Sequence, residues 1–332
     1  MPHERGPVRR LFTGPVSPVT FHRLVMASVT LLVVIIPSGA LVRLTGSGLG
    51  CPDWPGCHGG VVPPMHGHTV IEYSNRVLSA VVVVVAVITY LMARRVVGGP
   101  APMRRWALVA AIAAVAQAPL GGVTVMLDLH PMAVASHFLL SFVGLTAATL
   151  VLLHARDLRH AVRRRVERHR QVVSGIMLAL LSAVVVTGVM ATASGPHPGD
   201  PEVRIRFWNI TDAVGLHARV VLIFGLTGLL FLTWLWNHGV GDPAVRPLAI
   251  LFAPLFLIQI GVGEYQYRHQ LPWQVILVHV SIIALLYTTA VALAWLIAHP
   301  RMPTDHRADA PARSPQSAGA EPDRQVSSTS RA

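Results

Sequence analysis

Apolar residues run through this chain in long unbroken blocks. They show neither the alternation of a half-buried strand nor the one-sided stripe of a soluble helix. Eight blocks stand out, at about 23–44, 71–93, 105–127, 132–154, 171–193, 213–237, 247–265 and 273–298. Each is long enough to cross about 30 Å of hydrocarbon as a helix. A backbone in lipid must satisfy its own N–H and C=O groups, so such blocks are helical. The pattern predicts an all-α polytopic membrane protein with eight transmembrane helices.

The eight spans repeat. Gln117-Ala-Pro-Leu-Gly121 aligns with Gln259-Ile-Gly-Val-Gly263 at an offset of 142, which also carries His137 onto His279 and Asn75 onto His217. One register held over about 160 positions is the mark of a duplication. Four spans are an even number, so both copies keep one orientation, a parallel repeat. The predicted organisation is two tandem four-helix bundles, 23–154 and 171–298, joined by a basic cytoplasmic linker, 155–170. An N-terminal arm, 1–22, precedes them and a disordered cytoplasmic tail, 299–332, follows. The arm is basic, but no short apolar core with a small-residue cleavage site comes after it, so the first span is expected to be retained.

Composition agrees with this, and charge sets the direction. At 53% hydrophobic and 13% charged, the chain is too apolar for an ordinary soluble domain. Its net charge of +12 comes from arginine without a single lysine. Most of those arginines fall in the arm (Arg5, Arg9, Arg10), two short loops (Arg94 to Arg105 and Arg156 to Arg170) and the tail (among them Arg301 and Arg307). These all lie on one side if both termini are cytoplasmic, as the positive-inside rule requires. The charge therefore reads as topology in a cell membrane, and nucleic-acid binding is set aside.

His217 and His279 each sit a turn or two inside a long apolar run, 62 residues apart, with nothing nearby in sequence to neutralise them. A polar ring left in hydrocarbon without a partner costs several kcal/mol. Metal held between two helices meets that need, and haem iron is the metal most often given paired imidazoles there. The sixth and eighth helices must then be neighbours. Asn75 and His137 show the same 62-residue spacing in the first half. His137 shares its helical face with Ser141 and Gly144, where small side chains leave room for a flat ligand.

Glu72, Asn75 and Arg76 occupy i, i+3 and i+4 and so share one face. The carboxylate either pairs with Arg76 or handles protons inside the bundle. The external loop before it holds the only cysteines, Cys51 and Cys57. On an oxidising face these can form a disulfide worth roughly 2 kcal/mol; two free thiols are the alternative. A zinc site from Cys51, Cys57, His58 and His66 lacks a recognised spacing. Four arginines, Arg43, Arg76, Arg219 and Arg268, sit at external span ends where topology does not favour them. They either snorkel to lipid phosphates or pair with ligand carboxylates through the guanidinium fork.

Jointly these motifs resemble the haem A synthases of the respiratory pathway, over about residues 20–300. The resemblance rests on Thr45-Gly-Ser-Gly48 with the Cys51…Cys57 loop, Ile71-Glu72-Tyr-Ser-Asn75-Arg76, Leu129-His130-Pro131 leading to His137, and the pair His217 and His279. The two-cysteine loop is similar to the bacterial branch. The resemblance implies an oxidoreductase that converts a methyl of haem O to a formyl through successive hydroxylations, giving haem A for terminal oxidase assembly. It implies a haem b cofactor in the second bundle, ligated by His217 and His279, with Arg219 and Arg268 as propionate partners. Substrate haem then lies in the first bundle, with His137, Asn75, Arg76 and Arg43, and Glu72 is the catalytic candidate. Implied partners are haem O synthase and a membrane electron donor, with a homo-oligomer compatible.

One departure matters. The family usually has histidine where Asn75 stands, so the substrate haem is held from one side only, or His66 or His68 supplies a second ligand. Two other readings compete: a membrane b-type cytochrome that passes electrons, and a haem carrier or transporter. The first would want two imidazoles in both halves; the second tends to show broken helices and midplane charges.

Overall fold

The computed structural model describes residues 14–60, 63 and 67–302. Most of the arm, His66 and the tail from 303 lie outside the described residues. Eight long helices are present: α1 (Pro18–Leu44), α2 (Gly67–Ala93), α3 (Ala101–Met126), α4 (Pro131–Arg159), α5 (Arg168–Ser194), α6 (Ile210–His238), α7 (Val245–Arg268) and α8 (Trp273–Ala298). Each is long and apolar enough to cross a membrane. The protein is a multi-pass membrane protein.

The helices outrun the predicted spans. α2 starts at Gly67 instead of about 71, and α4 continues to Arg159 instead of 154. Hydropathy reports only the stretch in hydrocarbon, whereas the helix continues wherever capping and pairing satisfy its ends. Ser17 caps α1 by accepting from the Thr20 N–H, with Pro18 in the first turn, and Asn209 caps α6 through the N–H groups of Thr211 and Asp212.

In the first half α1 packs on α2, α2 on α3, α3 on α4, and α4 closes back on α1. The second half repeats α5 on α6, α7 on α8 and α8 on α5. Between the halves α1, α4, α5 and α8 form the inner layer and hold the core, around Phe21, Val25, Leu145, Val151, Ala284 and Val291. Small residues such as Ala147, Ala148 and Ala284 let these helices approach closely, as packing between lipid-embedded helices requires. Phe142 of α4 meets Tyr287 of α8 edge-on at 4.8 Å, and the Tyr287 hydroxyl bonds Thr146 at 2.8 Å. Outer helices α6 and α7 turn Leu222, Leu230, Ile250 and Leu257 outward, an apolar surface suited to lipid tails.

The duplication is visible in the backbone. Turns α3–α4 and α7–α8 both place two consecutive non-glycine residues in left-handed geometry, Asp128–Leu129 and Gln270–Leu271. Each is closed by an equivalent bond, Leu129 N–H to Thr124 O and Leu271 N–H to Gln266 O, both 2.8 Å. At the arginine-rich end the fully buried Asp242 carboxylate, between α6 and α7, receives Arg164 at 3.0 Å and Arg301 at 2.8 Å. Arg164 also pairs with Asp157 and donates to the His299 carbonyl at 2.6 Å. That cluster ties the α4–α5 linker to the end of α8.

Candidate functional site

Equivalent cradles stand in both halves. In the second, Thr187 Oγ1 of α5 lies 3.1 Å from His217 Nδ1, and a Cβ on the adjacent Gly188 would meet the His217 ring at 3.0 Å. In the first, Ser38 Oγ of α1 donates to Asn75 Oδ1 at 3.0 Å, and the adjacent Gly39 has nothing within 4 Å. The same hydroxyl–glycine pair thus holds each residue, but asparagine is too short to fill the space that an imidazole occupies in the other half.

The second ligand positions match as well. Gln117 Nε2 donates to His137 O at 3.1 Å, and Gln259 Nε2 donates to His279 O at 3.0 Å. Each ring lies against a glycine of the preceding helix: Gly121 for His137, where a Cβ would come to 3.3 Å, and Gly263 for His279, at 3.2 Å. Nδ1 of both His137 and His279 is buried without a hydrogen-bond partner among the described residues. A buried nitrogen of this kind is ordinarily met by a bound group or an ordered water.

Helices α6 and α8 are not the neighbours that the sequence suggests. They stand diagonally, each packed on α5, as α2 and α4 stand diagonally against α1. The diagonal leaves width for a flat macrocycle between the two imidazoles, which adjacent helices would not. α6 and α7 stay apart along their backbones and meet through Phe224 and Phe256, whose rings lie 5.6 Å apart. The second-half residues could therefore hold a flat group between His217 and His279.

In the first half, a cavity of about 420 Å³ runs between the helices. Its walls include Arg43, Glu72, Asn75, Arg76, Gln117, His137 and Ser141. The structure thus brings together all five residues expected on the substrate side, counting Glu72. At the cysteine-loop end it is roofed by two loops. One begins at Thr45 and contributes Gly48, Trp54 and Pro55; its Cys51 and Cys57 are disulfide-bonded, so neither thiolate is available to zinc. Trp54 of that loop lies against Gly122, where a Cβ would come to 2.8 Å of the indole.

Glu72 and Arg76 clamp this loop. Glu72 accepts from the Cys51 N–H at 2.7 Å and from Arg76 at 2.6 Å. Arg76 also donates to the carbonyls of Cys51, Asp53 and Gly56. With its Nε–H on Glu72, all five donors of this guanidinium are engaged. A carboxylate bound there would have to displace a partner already held.

Arg43 is placed differently. It reaches across to the Thr192 carbonyl of α5 at 2.5 Å, and the charged group that acts on it is another cation, Arg206. Arg206 comes from the second roof loop, 195–209, which sequence reasoning assigned to the other half. That loop bonds the first through Gly48 N–H to Gly199 O at 2.8 Å, and its Pro198, Gly199 and Ile205 line the cavity. No local signal marks a contact so distant in sequence.

Remaining candidates lie apart. Arg219 is exposed, and Arg268 is exposed and paired with Glu264. His68 bonds Ser47 Oγ through Nδ1 at 2.8 Å. Among the described residues no group of three or more His, Cys, Asp or Glu is gathered for a bare metal ion.

Two repeated four-helix units, each with a glycine-backed cradle between diagonal helices, define a polytopic helical membrane protein with matched internal sites. The chain belongs to the COX15-CtaA family, described as cytochrome oxidase assembly protein, which matches residues 22–195. It is similar to the heme A synthase of an Exiguobacterium species, 28% identical over 250 residues, covering 70% of this chain and 79% of the relative. The heme A synthase of Shewanella oneidensis is 23% identical over 322 residues, 81% and 94% of the two chains. That of Alkalihalophilus pseudofirmus is 30% identical over 168 residues, 49% and 56%.

Proposed function

We infer that this chain is a haem A synthase, an oxidoreductase of the membrane that acts on haem O and carries one methyl group to the formyl level by successive hydroxylations. The observation that carries this reading is the asymmetry between matched cradles. His217 and His279 offer two imidazoles in the second half, whereas the first offers His137 opposite the short Asn75, beside a cavity. His217 and His279 would hold a haem from both sides and suit it to electron transfer, whereas His137 alone would leave a face of the bound group free for chemistry. A b-type cytochrome that only passes electrons has no use for that difference.

In this reading haem b belongs to the second half, where it supplies one-electron chemistry when bound, and the substrate belongs to the cavity. His137 holds the substrate from α4, and Gln117 fixes the backbone of that residue. Asn75 is oriented by Ser38 and keeps the opposite face uncrowded. Glu72 sits at the roofed end and can hold or accept a proton through Oε2, whose only protein donor is the Cys51 N–H while Arg76 occupies Oε1. Arg43, with its single protein acceptor, is the better partner for a propionate than Arg76. Of the two second-half arginines, Arg219 is the better one, since Arg268 already has Glu264. Propionates then point to the cysteine-loop end, which we place outside the cell with both termini in the cytoplasm. Haem O synthase and a membrane electron donor complete the expected partners.

Purified protein tests the ligand assignment. His217→Ala and His279→Ala should each abolish a low-spin haem signal in absorption and EPR spectra. Unchanged spectra in both variants would refute it.

A further inference from the structure

The two sites differ below the ligands as well as at them. Seven residues further toward the arginine-rich end from His217, Gly263 and His279 stand Phe224, Phe256 and Leu286, about 10 Å deeper at the helical rise. Phe224 and Phe256 pack edge-on, and Phe224 and Leu286 are buried, so bulky side chains occupy this layer. At the 142-residue offset the first half has Val82, Ala114 and Gly144 in those places. All three line the cavity, which at that depth also reaches Leu32 and Ala113. Three large side chains in one copy are thus three small ones in the other, all at one depth, and the walls there are wholly apolar.

We propose that Val82, Ala114 and Gly144 are specificity-determining residues: their small side chains open the floor of the first-half site so that it admits a macrocycle bearing a long hydrocarbon substituent, while Phe224, Phe256 and Leu286 close the second-half site to it. This rests on the functional reading above. Haem O differs from haem b by a long isoprenoid chain in place of a vinyl group, so the two floors sort two haems that share a ring. Selection works by volume: a closed floor leaves the chain in clash or forces it out between the helices, whereas an open one buries it in hydrocarbon contact. Each buried methylene contributes about 0.8 kcal/mol, so losing roughly two of them costs about tenfold in affinity.

The experiment titrates purified full-length protein in detergent with haem O and with haem b. Wild type, Val82→Phe and Ala114→Phe are compared, and absorbance reports each site. Expected is a loss of about tenfold or more in haem O affinity at the first-half site of either variant, with haem b affinity there held within about twofold. Retention of the second-half low-spin signal shows that the fold survives. The reciprocal Phe256→Ala should let the second-half site take up haem O, a gain that does not depend on the first variants folding. Equal loss for both haems, or wild-type haem O affinity behind a phenylalanine floor, would overturn the proposal. A wild-type chain that binds haem b in the second half but no haem O in the first would overturn the functional reading, and this inference with it.

Discussion

Adding one methyl group at Gly188 and at Gly39 should have opposite effects, although both glycines follow the cradle hydroxyl of their repeat. At Gly188 the new Cβ would stand 3.0 Å from His217 Cε1, about half an ångström inside ordinary contact. The ring cannot swing freely, because Thr187 Oγ1 holds its Nδ1 at 3.1 Å. Overpacking of this kind costs about 1–3 kcal/mol, against about 1 kcal/mol gained when alanine replaces a helical glycine. Gly188→Ala should therefore cost up to about 2 kcal/mol and push the imidazole off its axis. At Gly39 nothing lies within 4 Å, so only the helix gain remains, about 0.5–1 kcal/mol of stabilisation. The assay is the low-spin spectrum and the thermal midpoint of each purified variant. The expected result is a disturbed spectrum and lowered midpoint for Gly188→Ala, with an undisturbed spectrum and equal or raised midpoint for Gly39→Ala. Matching behaviour in the two variants would refute the claim that the cradles differ by the missing ring.

Three further outcomes follow from the same contacts. Glu72→Gln keeps an acceptor for the Cys51 N–H but removes the charge facing Arg76, so haem O or its alcohol should accumulate at normal protein level; normal haem A yield would exclude a proton-handling role. Arg43→Gln should weaken substrate retention at the first-half site more than Arg219→Gln does, while Arg219→Gln should weaken haem b retention, read from the haems that co-purify; the reverse order would contradict the propionate assignment. Burial pushes the Asp242 carboxyl up, but Arg301, the Ala244 N–H and Arg164 outweigh it and hold the carboxyl below its ordinary 3.8. Its stabilisation is then complete above that value and lost as pH falls through the depressed folded one. Asp242→Asn should lower the thermal midpoint at pH 7 and flatten its decline below about pH 4, and parallel pH profiles would count against the cluster.

Much of this architecture was legible because lipid imposes few solutions. Eight apolar blocks became eight helices, and one offset placed His137, His217, His279 and Asn75 in matching cradles. Their diagonal arrangement was not legible, since spacing along a chain does not say which helix of a bundle faces which. The hydroxyl–glycine pairs were hidden for another reason. The loop after α1 spans 45–66 and its counterpart 195–209, so Ser38-Gly39 meets Thr187-Gly188 at a different offset from the other helices. Glu72 and Arg76 were read as sharing a face, which they do, but their hold on the disulfide loop depends on backbone carbonyls that no pattern reports. The reach of Gly199 and Ile205 over the other half's cavity arises from packing of the repeats and has no trace in sequence.

The central claim is that this chain turns haem O into haem A. Chromatography of haems extracted from cells that lack the chain, and then regain it, tests that claim most directly. The account predicts that haem O accumulates and haem A disappears without the chain, and that haem A returns with the wild type but not with His137→Ala. Haem A at an unchanged level in cells without the chain, in the absence of any second synthase, would contradict it.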